Sequence, residues 1–270
     1  TKVLISQAMD KHDTVGIDLV AMNVDDVVTC GARPLFFLDY LAVGRLNPRV
    51  VTDLVKGVTD GCRQAGCVLL GGETAQMPDI YGPDEYDLAG FSVGGVERDQ
   101  IVDGSRINPG DVLVGLESSG VHSNGYSLVR KVLLEEAKLD LNRNVPEFGR
   151  TLGEELLEPT RIYAPAIVGL CKEVSVKGLA HVTGGGIPGN VPRIFPGGVK
   201  MRLSWDWPVP PVFDMIQKLG QVPREEMRAV FNMGIGMVII VGRDDVDRTL
   251  SAMKDHGIGA HLMGEMESDV

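Results

Sequence analysis

Apolar residues recur at helical spacing in several stretches of the chain. Over Asp18–Cys30 they are Leu19, Met22, Val27 and Val28, and Gly31 and Pro34 stop the pattern. Arg49–Ala65 carries Val51, Leu54, Val55, Val58 and Cys62 on one stripe and ends at Gly66. Tyr126–Glu135 places Leu128, Val129, Val132 and Leu133 together, and Asp244–Lys254 reads as another helix. Leu152–Glu158 and Ile162–Leu170 also suit helices. Between these lie short apolar runs of strand length: Leu35–Val43, Cys67–Leu70, Asp87–Val96, Val112–Leu116, Gly178–Val182, Met237–Val241 and Ala260–Gly264, with Met201–Leu203 a weaker one. The alternation predicts an α/β chain or α+β layering. Asn108-Pro109-Gly110-Asp111 is a turn signal, and the domain boundary is placed there, giving residues 1–107 and 108–270. No short-period repeat is present.

Two polar loops interrupt this pattern. Ser118–Tyr126 reads SSGVHSNGY and lies between a strand and a helix. A loop opening into a helix offers free backbone N–H groups and the positive end of the helix dipole to an anion. The same residues suit an ordinary helix cap, with Ser123 or Asn124 accepting from the first turn. The second loop, His181–Asn190, reads HVTGGGIPGN. A tight turn needs one glycine; three in a row let backbone approach a ligand closely. Two strand–loop–helix units, each with a histidine, hydroxyls and glycines, point to phosphate-rich ligands.

Carboxylates supply the other half of such a site. Asp25 and Asp26 lie about 100° apart around a largely apolar helix. Two solvated helix carboxylates are the commoner case, but Leu19, Met22, Val28 and Thr29 leave little polar face. Glu73 follows an apolar run and two glycines, at the strand end where α/β sheets bind ligands. Mg²⁺ takes a few oxygen ligands plus substrate phosphates, which Asp26 and Glu73 could complete. An exposed Glu after a Gly-Gly turn is the plainer reading of Glu73. Lys2, at the start, would ordinarily be solvated.

Composition narrows the classes. The chain has 270 residues, 44% hydrophobic and only 5% aromatic, so its core is aliphatic. Net charge is −11 with no basic stripe, which argues against nucleic-acid binding; phosphates would need Mg²⁺ or local Lys and Arg. Cys30, Cys62, Cys67 and Cys171 show no C-x-x-C spacing, so no zinc site is expected and free cytoplasmic thiols are the default. No run of eighteen apolar residues predicts a membrane span, and no signal peptide is seen. The sequence starts at Thr1 and reads as cut there.

These segments together resemble the phosphoribosylformylglycinamidine cyclo-ligase (aminoimidazole ribonucleotide synthetase) family. The matching stretches are HDTVGIDLVAM from His12, ARPLFFLDYLA from Ala32, LLGGETAQMPDIY from Leu69, YDLAGFSVG from Tyr86, SSGVHSNGYSLVRK from Ser118, PTRIYA from Pro159, HVTGGGIPGNVPR from His181 and FNMGIGM from Phe231. The resemblance implies two α/β domains and a homodimer formed through the N-terminal sheets. It implies cyclisation of formylglycinamidine ribonucleotide with ATP to aminoimidazole ribonucleotide, ADP and phosphate, in cytoplasm or plastid. By the family pattern Asp26 and Glu73 would hold Mg²⁺–ATP, with Thr74 beside them. Ser123 and Asn124 would belong to the active-site loop; His181, Thr183, Gly184 and Gly185 would lie near ligand phosphate; and Asn232 would match the F-N element. His122 is the first choice for proton transfer. Thr1 and Lys2 would end a D-G-V-G-T-K motif whose aspartate precedes this chain, with Lys2 the second catalytic candidate. Asp25 stands where the family often has Asn, and Gln76 where it often has Glu. Other ATP-dependent kinases and synthetases of this superfamily, or a non-catalytic scaffold keeping the fold, are the alternatives.

Overall fold

A computed structural model describes residues 1–269. In chain order the elements are α1 (Lys2–Ala8), α2 (Val15–Val28), β1 (Arg33–Val43), α3 (Pro48–Ala65), β2 (Val68–Gln76), β3 (Tyr86–Gly95), β4 (Val112–Glu117), α4 (Tyr126–Val129), β5 (Asn144–Val145), β6 (Arg150–Thr151), α5 (Leu152–Leu156) and α6 (Ala164–Leu170). There follow β7 (Gly178–His181), α7 (Gly186–Asn190), β8 (Val199–Leu203), α8 (Pro211–Gly220), α9 (Arg224–Val230), β9 (Ile235–Val241), α10 (Val246–Asp255) and β10 (Ala260–Ser268).

Two main sheets organise the chain. The first has the order β2-β1-β3, with β1 parallel to β2 and antiparallel to β3. The parallel pair is joined by α3, whose Asn47 side chain caps its first turn and whose Gly66 ends it in the left-handed conformation. The second sheet, β7-β9-β4-β10-β8, is antiparallel throughout. Its central strands read as unbroken apolar runs because both faces are covered. Met237, Ile239 and Val241 enter one core, while Val238 and Ile240 enter another. The first of these cores also takes Val20, Val24 and Val28 of α2 and Ile167 of α6, so α2 and α6 pack the two halves together.

The small sheet is covered on one face only. Phe37 and Leu41 point towards the helices and are fully buried. On the opposite face Tyr40, Val68 and Phe91 are exposed, the last two by more than half (61% and 62%).

The structure adds α1, α8 and α9, which the hydrophobic pattern did not disclose. It also changes two segments. β2 does not end at Leu70 but continues through Gly71-Gly72-Glu73-Thr74 to Gln76, paired to β1 along this length. The Tyr126–Glu135 helix begins as α4 and widens into a π-helix over Arg130–Glu136, with Val132 and Leu133 buried.

Candidate functional site

The site begins at a buried carboxylate that sequence reasoning missed. Asp18, in the first turn of α2, is 3% exposed. Its Oδ1 accepts from Lys2 Nζ at 2.7 Å, Thr160 N at 2.8 Å, Thr160 Oγ1 at 2.6 Å and Ser123 Oγ at 3.3 Å. Its Oδ2 is buried without a hydrogen bond. Lys2 is therefore not a solvated terminal lysine. It is 5% exposed, donates also to the Glu158 carbonyl at 2.7 Å, and lies 5.6 Å from the Tyr126 ring centre. Burial lowers its pKa, and the Asp18 charge opposes that shift. The ammonium is fully engaged in joining α1, α2 and the 158–160 segment. The only hint in the sequence was an aspartate inside an apolar helix pattern.

The two polar loops do meet. A side chain placed on Gly184 would bring its Cβ to 3.4 Å from Asn124 Oδ1, so the glycine loop faces the His122–Gly125 turn across a narrow gap. Gly125, at φ +83°, is the N-cap of α4 and provides no side-chain cap. Neither Ser123 nor Asn124 caps the helix; Ser123 instead reaches Asp18 and Thr160 Oγ1. Across the gap, Gly185 and Gly186 have φ +99° and +60°, a region where glycine is favoured. Asn190 fixes this backbone. Its Nδ2 donates to the carbonyls of Gly186 at 2.8 Å and Gly184 at 3.2 Å. Asn232 performs the same service for the other loop, donating to Gly120 O at 2.9 Å while its Oδ1 accepts from Gly234 N at 2.8 Å and Ser118 Oγ at 3.1 Å. Through these contacts Asn232 clamps the loop.

His122 is a buried ring whose tautomer the loop fixes. Its Nε2 lies 3.0 Å from the Ser119 backbone nitrogen, which can only donate, so Nε2 is the acceptor and the neutral ring carries its proton on Nδ1. Nδ1 is buried without a partner. Burial, then the charges of Lys2, His181 and Arg161, push the His122 pKa well below its ordinary value. The ring is neutral at physiological pH, and its φ of +61° shows that the loop holds it in a conformation uncommon for a non-glycine residue.

Asp26 and Asp25 part company as their positions on α2 require. Asp26 is exposed and its Oδ1 accepts from His181 Nδ1 at 2.8 Å, tying α2 to the start of the glycine loop. Beside this pair is a cavity of about 200 Å³ lined by Asp26, Thr29, His181, Thr183, Asn190 and Arg193. Asp25 is fully buried and accepts from Tyr163 N at 2.9 Å. Burial raises its pKa to about 7, against the pull of the neighbouring His181.

Glu73 and Thr74 lie elsewhere. In register, Glu73 pairs with Tyr40 and Gly72 with Asp39. Gly90, also opposite Asp39, faces Leu19 and Asn23 of α2. Side chains alternate along a strand, so Glu73 projects from the opposite, uncovered face. Within one chain, Asp26 and Glu73 are thus on opposite sides of the sheet, and no cluster of three or more metal-ligating side chains is found among the described residues. The sequence placed Glu73 at a strand end because two glycines resemble a turn; here they continue the strand.

Residues 1–96 match the family model described as AIR synthase related protein, N-terminal domain, and residues 108–270 match its C-terminal domain. Among curated relatives, a phosphoribosylformylglycinamidine cyclo-ligase from Myxococcus xanthus is 55% identical over 99% of this chain and 78% of its own length. The cyclo-ligases of Carboxydothermus hydrogenoformans and Bacillus subtilis are 53% and 51% identical, over 98% and 99% of this chain and 78% of their own lengths. Solved structures of similar fold include a hydrogenase maturation protein HypE in complex with ATP, with TM-score 0.69 and 20% identity over 94% of this chain and 71% of that one. PurLQS from Thermotoga maritima matches at TM-score 0.64 and 18% identity, over 98% of this chain and 39% of that one.

Proposed function

Because the chain belongs to the phosphoribosylformylglycinamidine cyclo-ligase family, we propose that ring closure takes place where its two polar loops face each other. The protein is an ATP-dependent ligase of purine biosynthesis. The chemistry has two stages. The formyl amide oxygen of formylglycinamidine ribonucleotide takes the γ-phosphoryl group of ATP, releasing ADP. The amidine nitrogen then attacks the activated carbon, the ring closes, a proton is lost, and the C–O bond breaks to release phosphate. Phosphorylation is needed because an amide oxygen leaves poorly by itself.

The protein contributes positioning and charge stabilisation more than covalent chemistry. Thr183, Gly184 and Gly185 present backbone to phosphoryl oxygens, and a bare Cα at Gly184 leaves that approach open. Ser123 and Asn124 form the opposing wall. His122 offers a neutral N–H and does not transfer a proton; Lys2 and Asn232 hold the loops in shape. Asp26, an exposed carboxylate on the rim of a small polar cavity, would supply one oxygen to a Mg²⁺ ion whose other ligands come from the phosphates and water. There the ion would neutralise phosphate charge. Glu73 would take part through a second copy, since a homodimer formed on the uncovered sheet face brings it to the interface, whereas Thr74 lies on the same face as Leu41. The domains divide at residues 107 and 108.

The observation that carries this assignment is the opposition of Gly184 to Asn124, with Asp26 and His181 joining α2 to the same loop. The test is to incubate the protein with formylglycinamidine ribonucleotide, ATP and Mg²⁺, and to follow ADP and aminoimidazole ribonucleotide. Asp26→Asn is expected to lower kcat/KM by about 10²-fold and to raise the Mg²⁺ concentration needed, given the usual worth of a metal-centred charge. Unchanged Mg²⁺ dependence in that variant would remove Asp26 from the metal site.

A further inference from the structure

We propose that Arg161 anchors a phosphoryl oxygen of one of the two reactants, an inference that rests on the cyclo-ligase reading. Arg161 is half-buried, and its Nε is buried without a hydrogen-bond partner. It forms no ion pair among the described residues, and carboxylates of α2 and of the 155–158 segment are paired with other groups. Asp18 is held by Lys2, Glu155 and Glu158 by Arg150, and Asp26 by His181. Asp25 turns to the backbone N–H of Tyr163. A guanidinium taken partly out of water with no counter-charge is costly, and its fork of donors matches the oxygens of a phosphoryl group.

The backbone on both sides of Arg161 is held in place by buried hydrogen bonds. On one side, Thr160 gives both its N–H and its hydroxyl to Asp18. On the other, Tyr163 is bonded through its N–H to Asp25 and through its hydroxyl to the Glu117 carbonyl at 2.8 Å. The same segment is laced to the active-site loop, where Ser119 Oγ donates to the Pro159 carbonyl at 2.6 Å and Ser123 Oγ meets Thr160 Oγ1 at 2.8 Å. An unpaired cation is thereby anchored through its backbone beside that loop, near enough for its charge to act on His122. Both reactants carry phosphoryl groups, ATP in its triphosphate and the ribonucleotide at its ribose, so the shared chemistry is phosphoryl binding.

The test uses Arg161→Met, which keeps the aliphatic stem, and Arg161→Lys, which keeps the charge without the fork. KM and kcat are measured for each reactant with the other saturating. Arg161→Met is expected to raise the KM of one reactant roughly 10- to 100-fold while leaving that of the other within about threefold. Arg161→Lys should fall between. The reactant affected identifies the source of the phosphoryl group. Losses shared equally by both reactants, or no loss in either variant, would overturn the assignment. Turnover by the unaltered protein reports separately on the cyclo-ligase reading. Independently of turnover, millimolar inorganic pyrophosphate should raise the Tm of the unaltered protein and of Arg161→Lys, but not of Arg161→Met. Equal shifts in all three would also overturn it.

Discussion

Individual residues here are decided by burial more than by type. Asp25 and Asp26 are chemically identical neighbours, yet one is sealed between α2 and α6 and the other stands beside a cavity. The Asp25 pKa, raised to about 7, has a consequence for stability. Its stabilising effect is complete below the unfolded-state pKa of roughly 4 and is lost as pH rises through about 7, because across this window the native state retains a proton that the unfolded chain has released. Asp25→Asn is expected to flatten that slope and to add on the order of 3 kcal/mol at pH 8 relative to the unaltered chain. Parallel urea-unfolding curves for the two proteins from pH 5 to pH 8 would contradict it. Lys2 makes the second case. Lys2→Met leaves Asp18 charged, buried and without its cation, and is expected to cost roughly 3–5 kcal/mol in unfolding free energy. A loss below about 1 kcal/mol would show that the pair does not hold the N-terminal elements. Sequence alone identified Lys2 and Asp26 through resemblance but could not rank Asp18, whose importance comes from Ser123 and Thr160, more than a hundred positions away.

At the scale of elements, the glycine-rich loop combines two demands on neighbouring residues. Gly186 has φ +60°, and a Cβ there would stand 1.9 Å from the Arg228 carbonyl, so Gly186→Ala is expected to destabilise the fold by roughly 2 kcal/mol or more. Gly184 has no positive φ, and its Cβ would meet only Asn124 Oδ1, at 3.4 Å. Gly184→Ala should therefore melt within a few degrees of the unaltered protein while losing at least about tenfold in kcat/KM, as expected when backbone approach to a phosphate is obstructed. The reverse ranking, with Gly184→Ala unstable and fully active, would remove this loop from the site. That the loop was special was legible from three consecutive glycines. Which of these glycines is locked by packing depended on α9, an element the hydrophobic pattern did not disclose. β2 teaches the opposite lesson. Gly71-Gly72 reads locally as a turn, but pairing along β1 keeps it extended and so sets the face from which Glu73 projects.

The whole molecule presents one surface that a single chain leaves uncovered. Tyr40, Val68 and Phe91 lie exposed on the outer face of the β2-β1-β3 sheet, an apolar surface of the kind that marks an interface. The protein is expected to elute as a dimer in size-exclusion chromatography with light scattering, and Phe91→Glu to shift it to monomer. A monomeric unaltered protein would discard both the dimer and the route by which Glu73 reaches the site. No helix among the described residues is long and apolar enough to cross a membrane. By itself the sequence determined the identity of most elements, the two polar loops and the family. Hydrophobic period and glycine runs are local, and motif order survives along a chain whatever its folding. The tertiary structure decided which groups meet. It placed Asp18 under four donors, aimed Gly184 at Asn124, left Arg161 without a carboxylate, and separated Glu73 from Asp26. Those outcomes depend on strand register and on contacts between distant segments, and neither is encoded in any short window of residues.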